Sequence, residues 1–577
     1  MNRRRLVALA VTGFLGCTGD FEVADTPDQG LRDQAEDRAD ADETGADEGM
    51  PDERVADQRI VDMAPSETGV DRGVSDAAAD VALDLEVAPC GVDERVAMNR
   101  CVPCTGGEGR RAGDDPRGPD TMCEPDACTE PFGISCTRFE TAYMKGDTLT
   151  ESAFFGTAVA LDGDTLVVGA PGEGWGGRGV NAEQSGSAPN SGAVYVFRRT
   201  VEGWQQEAYI KADNADENDF FGFAIALDGD TLVVGAPYES GRFTFDPDNN
   251  EDPAAGAAYI YERRSSPDGP RWQQDAYLKS SLPVDGFFHG WDVDISGDTV
   301  VVGTPGSSRR AGRGSGDVAV FERVGADWVR GPELTADNGD IRDSFGLSVS
   351  LDGDTLVVGA PLEDGPGNLV PNSGAVYVFE RADGDWIQRT YLRAANAEAE
   401  DEFGNTVALD GDTFVAGAFG EDSAGAPGDN SAFDSGAAYV FVRSGAAWRQ
   451  DAYLKPAVVR RGDAFGAALA IDGSTIVIGA RLEDGSSPGV NTPDDNGTVD
   501  VGAVYVFRRA GAMWPQQAYI HASNVGASDW FGRSLGLSGP MLVVGAPQED
   551  SGAVGIGGAD DDLRRDSGAA YLRRIAP

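Results

Sequence analysis

The sequence predicts an all-β chain whose main body is a seven-bladed β-propeller. Three observations carry the prediction. A paired-glycine motif recurs seven times with constant internal spacing; each recurrence brings four strand-like runs; and the strand missing from the last recurrence stands upstream of the first. The chain has 577 residues and a formal net charge of −51, with 97 Asp and Glu against 46 Lys and Arg. Such a field repels nucleic acid and anionic lipid surfaces, so a nucleic-acid partner is not expected.

The first sixteen residues read as an export signal, domain 1–16. "NRRR" supplies a positive start, and Leu6 to Gly16 give eleven residues of apolar character, too few to span a bilayer. The stretch ends in "FLGC", which resembles a bacterial lipobox with Cys17 as the acylated residue. Phe14 stands where that motif usually has Leu, and ordinary cleavage after a small residue is the alternative. The membrane is then an anchor and not a solvent.

Residues 17–89 form an acidic tether. From 18 to 89 there are 22 acidic residues, five arginines and one aromatic, Phe21. So little apolar surface cannot offset backbone ordering entropy, and a disordered, self-repelling spacer is expected. Residues 90–136 hold Cys90, Cys101, Cys104, Cys123, Cys128 and Cys136. Behind an export signal these point to three disulfides of undetermined pairing rather than to zinc, because "CVPC" has no matching second knuckle and no nearby His.

The propeller is assigned to 137–577. The Gly of an "FG" element falls at Gly156, Gly222, Gly290, Gly346, Gly404, Gly466 and Gly532, and the Gly opening a "GAP" element lies thirteen residues later each time, from Gly169 to Gly545. Between them two apolar runs flank a turn, as in "TAVAL" and "TLVVG" joined by Asp162 and Gly163, which predicts a tight hairpin. A third strand follows, as in "GAVYVFRR" (192–199), and a fourth starts near a Trp, as in "WQQEAYIK" (204–211). The seventh repeat ends at "GAAYLRR" (568–574) without a fourth strand, whereas "TAYMK" (141–145) matches the fourth strands and precedes the first "FG". That segment is predicted to close the ring and remove its exposed edges.

Over about 141–577 these repeats resemble the FG-GAP repeats of integrin α-chain propellers, and still more the tandem FG-GAP proteins of bacterial surfaces. "FHG" (288–290), "GTP" (303–305), "GAF" (417–419) and "GAR" (479–481) depart from the pattern. The resemblance implies that binding uses the face carrying the loops after "GAP". In the third blade that loop holds "SSRRAGR", where Arg309, Arg310 and Arg313 offer a basic patch to an anionic partner. Loops on a rigid scaffold are where recognition usually lives.

The calcium loop common in integrin-type propellers does not transfer, because each turn here has two residues, too few to wrap a cation. A second acidic constellation recurs as Glu363–Asp364, Glu421–Asp422, Glu483–Asp484 and Glu549–Asp550, with Asp434, Asp500 and Asp566 returning before the third strand. These could converge on calcium, or be solvated loop acids; no resident cofactor is assigned. His289 and His521 sit in different blades, and no "GxSxG" or "HExxH" element occurs. The repeating Phe and Trp read as core wedges between sheets. The expectation is a monomeric, extracytoplasmic binding or adhesion protein for an extracellular protein or polysaccharide, without catalysis. A passive envelope lipoprotein and a propeller-type hydrolase are the alternatives.

Overall fold

A computed structural model describes strands between residues 94 and 125 and then residues 141–577, apart from 242–247, 249, 251, 268, 309–313, 493–494, 558–561 and 576–577. The strands in the first part form two antiparallel pairs, Glu94–Ala97 with Arg100–Pro103 and Glu108–Gly109 with Glu124–Pro125. The predicted signal, Cys17, the tether, and Cys90, Cys104, Cys123, Cys128 and Cys136 lie outside the described residues. Cys101 is described only as a position within its strand.

From 141 on there are seven antiparallel four-stranded sheets. Blade 1 runs through Val159–Asp162, Thr165–Ala170, Ala193–Thr200 and Gly203–Ile210. Five blades follow in the same order. Blade 7 takes Ser534–Ser538, Met541–Ala546 and Ala569–Arg574 from its own repeat and Thr141–Met144 from upstream of blade 1. The closing strand pairs Met144 with Ala570, Tyr143 with Tyr571 and Ala142 with Leu572. The first strands touch their neighbours in an unbroken circuit, the seventh against the first. The ring is closed as predicted.

The second strands are buried almost throughout, along their whole length in blade 1 ("TLVVGA"), because both sheet faces meet a neighbouring blade. The Phe of "FG" packs edge-on against aromatic residues of the third strand; Phe403, for example, lies 5.3 Å from Tyr439 and 5.9 Å from Phe441. Trp386, Trp448 and Trp514 are buried, each with an arginine of its own blade above its ring.

The constant thirteen-residue spacing is a matter of hairpin register. The N–H of the "FG" glycine donates to the carbonyl of the "GAP" glycine across the hairpin, Gly404 to Gly417 at 2.8 Å. Gly404 has φ +87, and a Cβ there would lie 2.5 Å from the Ala375 oxygen of the preceding blade. Only glycine allows both the conformation and the approach.

The turn differs by one residue from the sequence expectation. Asp162 still pairs with Thr165, so the two turn residues are Gly163 and Asp164, with Gly163 at φ +54. Glycine in the first of the two positions suits a turn with positive φ there alone. Asp162 is left facing the next blade, where its carboxylate accepts the Gly229 N–H at 2.8 Å. The same bond recurs around the axis: Asp228 to Gly297, Ser296 to Gly353, Asp352 to Gly411, Asp410 to Gly473, Asp472 to Gly539, and Ser538 to Gly163, all within 2.5–3.2 Å. These seven bonds form one girdle at the turn end, called here the lower end. The "FG" and "GAP" elements and the long loops occupy the upper end.

Candidate functional site

Among the described residues, beneath the upper loops each blade except the third sets a buried Glu near a basic side chain, and the third buries Ser307 with Asp317 instead. In blade 5, Lys455 lies 2.7 Å from Glu421 and donates to Ser435 Oγ (2.7 Å) and the Gly436 carbonyl (2.6 Å). Tyr453 OH and the Asn396 amide donate to the same carboxylate at 2.9 and 3.1 Å. Blade 7 repeats this across the closure: Lys145 to Glu549 at 2.7 Å, Tyr143 OH at 2.8 Å and Asn524 at 3.1 Å. Lys279 and Glu239 pair at 2.6 Å in blade 2, while Lys211 and Glu173 stand 3.9 Å apart in blade 1. Blade 4 has Arg393 in the lysine place, bonded to Ser373, with Glu363 taking Tyr391 OH at 2.9 Å. His521 fills that place in blade 6, 2.7 Å from Glu483. Burial lowers the Lys455 pKa, partly offset by Glu421.

In the "ED" pairs Glu421 and Glu549 face a buried lysine, and the Asp closes the loop: Asp422 accepts the Asp434 N–H at 2.8 Å, Asp484 that of Asp500 at 2.8 Å, and Asp550 that of Asp566 at 2.7 Å. Asp364 does the same for Asn372. The returning acids sit at positive φ (Asp434 51°, Asp500 53°, Asp566 50°), a conformation Asp and Asn tolerate better than other side chains. Among the described residues no three His, Cys, Asp or Glu are grouped to hold a metal ion. Each Glu of these pairs has a partner within the fold.

His289, in the place of an "FG" Phe, is buried beside Phe321 and bonded to Thr304 at 2.8 Å through Nδ1. Both histidines thus belong to the interior. Arg309, Arg310 and Arg313 lie outside the described residues.

A cluster the sequence reading passed over lies at the upper end, where the first strands begin. Arg481 takes the Pro place of "GAP" in blade 6. Its guanidinium carbon is 5.9 Å from the Phe419 ring of blade 5 and 5.8 Å from the Trp530 ring of blade 7. Arg533, the residue after "FG" in blade 7, is near enough for its charge to lower the Arg481 pKa; burial is the larger cause, and together they bring it down to about 10. Among the described residues neither guanidinium has an ion pair or side-chain hydrogen bond, and Arg481 Nε is buried without a partner. Glu402 is nearby and only 8% exposed; burial first, then Glu400 and Asp434, push its carboxyl up to about 8 despite Arg481.

Blades 2 and 3 carry an aromatic arc at the equivalent positions. Phe220 lies 5.1 Å from Tyr238, Tyr238 5.3 Å from Phe288, Phe288 5.9 Å from Trp291, and Trp291 5.0 Å from Phe223. The residue before "FG" has positive φ in all seven blades, including Phe154, Phe220, Phe288, Glu402 and Trp530. Bulky side chains in that conformation cost about 1–2 kcal/mol each, and glycine would cost least. The signal for this cluster was in the sequence: Phe419 and Arg481 break "GAP", and Trp291 and Arg533 follow "FG" and "FHG" glycines.

A family model described as FG-GAP repeat matches residues 149–197, 204–261, 328–379, 386–441, 448–507 and 514–572, more than half of the chain. The stretch carrying the third hairpin is not matched. No curated protein sequence matches the chain. Among solved structures the chain is similar to the Kuenenia stuttgartiensis hydrazine synthase (14% identity, 70% of this chain and 95% of that one, TM-score 0.40). It is also similar to Chaetomium thermophilum Sqt1 (12%, 70% and 84%, TM-score 0.37) and to the Pseudomonas aeruginosa periplasmic gluconolactonase PpgL (15%, 62% and 86%, TM-score 0.37).

Proposed function

This chain belongs to the FG-GAP repeat family, and from that premise we propose that it is a binding module, without catalysis, which presents the upper end of its propeller to an extracellular protein or polysaccharide. In this reading the Cys17 lipid and the acidic tether hold it outside the cytoplasm as a monomer, and calcium has no part. One observation supports the reading above the rest. Phe288 and Trp530 hold bulky, half-buried rings at a backbone position where glycine would be cheapest, so the side chain rather than the backbone is what that position serves.

The test is the purified chain on an array of glycans and extracellular proteins, with and without chelator. Retention of at least one ligand class, unchanged by chelator and lost on Trp530→Ala, is expected. One feature favours a hydrolase instead: burial pushes the Glu402 carboxyl up to about 8, the protonation state a general acid needs near neutrality. An array with no retention, together with turnover of chromogenic glycosides that Glu402→Gln abolishes, would replace the binding reading.

A further inference from the structure

Arginines in this acid-rich chain are commonly paired. Arg381 meets Glu322 at 3.3 Å and Arg443 meets Glu380 at 3.1 Å, each from one blade to the preceding one. Arg481 and Arg533 break that habit. Both are half-buried at the upper end, near enough for the Arg533 charge to act on Arg481, and among the described residues neither side chain has an ion pair, although the chain has 97 acidic residues to offer. Two partly desolvated like charges cost free energy, and an oxyanion between them would offset it through charge-assisted hydrogen bonds. The rings of Phe419 and Trp530 flank the Arg481 guanidinium, a contact that engages its face and leaves its planar fork of N–H donors for a ligand.

We propose that Arg481 and Arg533 form an anion-binding subsite for a carboxylate-bearing polysaccharide, with Trp530 and Phe419 as the platform on which a sugar ring stacks. The proposal rests on the binding reading above and names its ligand class. A uronic acid joins the two features, because its carboxylate is fixed to a ring whose flat aliphatic face packs on an aromatic one. An acidic peptide supplies the charge without the ring, and a neutral glycan the ring without the charge. The arc of Phe223, Trp291 and Phe288 gives a polymer further rings to lie on. The acidity of the whole molecule opposes any polyanion, so the affinity for a uronic acid must come from this local pair.

The experiment is calorimetric titration of the full chain with polygalacturonate, its methyl ester, and polyglutamate. Polygalacturonate should bind, the ester and polyglutamate at least about tenfold more weakly, and Arg481→Gln and Arg533→Gln should each weaken polygalacturonate by about tenfold or more. Neither variant should melt lower than wild type, since each relieves a like-charge contact. Should a Gln variant fail to fold, Arg481→Lys and Arg533→Lys keep the charge without the fork, and several-fold weaker binding is expected of them. Wild-type affinity in the arginine variants would overturn the proposal. So would polyglutamate binding as tightly as polygalacturonate, which would point to an acidic protein. No binding of polygalacturonate would overturn it too; if the array still retained another ligand, the broader reading would stand, and a silent array would end both.

Discussion

Asp401 is only 3% exposed, and its carboxylate accepts the Glu398 N–H at 2.7 Å. Burial raises its pKa to about 7, opposed by that hydrogen bond and reinforced by Glu421. An acid whose folded pKa is raised contributes its full stability below the unfolded value near 4 and loses it as pH rises to about 7. Asp401→Asn keeps an acceptor for Glu398 and removes the ionisation. Its advantage in melting temperature over wild type should grow from pH 5 to pH 7 and then level off; a pH-independent difference would refute the assignment. Lys455 poses the opposite case, because its loss strands Glu421 in the interior. Lys455→Met should cost about 3–5 kcal/mol in urea unfolding, and adding Glu421→Leu should recover much of it. The sequence displayed these groups without their relation. Glu421 stood out as one of a recurring acid pair, but its partner lies on the fourth strand of the same blade, and only the folded sheet brings "AYLK" beneath the loop.

At the scale of the blade, the hairpins were legible because glycines punctuate them at fixed register. Gly404 and Gly417 face each other across one hairpin, so their spacing cannot drift without breaking the bond between them. Gly404→Ala should cost more than about 2 kcal/mol, as the residue has φ +87 and its Cβ would press on the Ala375 oxygen. A variant with the melting temperature of wild type would show that the approach is not tight. The turn was placed one residue early because Asp-Gly is the usual hairpin pair, whereas Asp162 is held in the strand by its bond to the next blade's turn. The upper cluster stayed hidden for a similar reason. Phe419, Arg481, Trp530 and Arg533 come from three consecutive repeats, and each looked like a mild lapse from its motif. Their meeting at one end depends on the curvature of the ring, which no single repeat contains.

For the molecule as a whole the question is what makes seven blades one body. The first three strands of the third blade lie outside the family match, yet the blade is bonded to its neighbour. Asp292, just before its first strand, and Asp294 within it accept the N–H groups of Val349 and Leu351 in blade 4 at 2.8 and 2.7 Å. With that blade in place, every step of the girdle is made, and the step from Ser538 to Gly163 joins the last blade to the first. Closure rests more heavily on the strand Thr141–Met144, which supplies the fourth strand of blade 7, and on Lys145, which neutralises Glu549. Removing residues 141–146 would leave an unpaired edge along Ala569–Arg574 and a buried carboxylate without its cation. An open row of repeats would answer by fraying locally, since each unit in such an array leans only on its neighbours. In a closed ring the loss reaches blade 1 as well as blade 7. The shortened chain should unfold at lower urea concentration with a reduced m-value, and should expose blade 1 amides to hydrogen exchange together with those of blade 7. Exchange confined to blade 7, with the remaining blades protected as in the intact chain, would show that closure does not bind the ring into one unit.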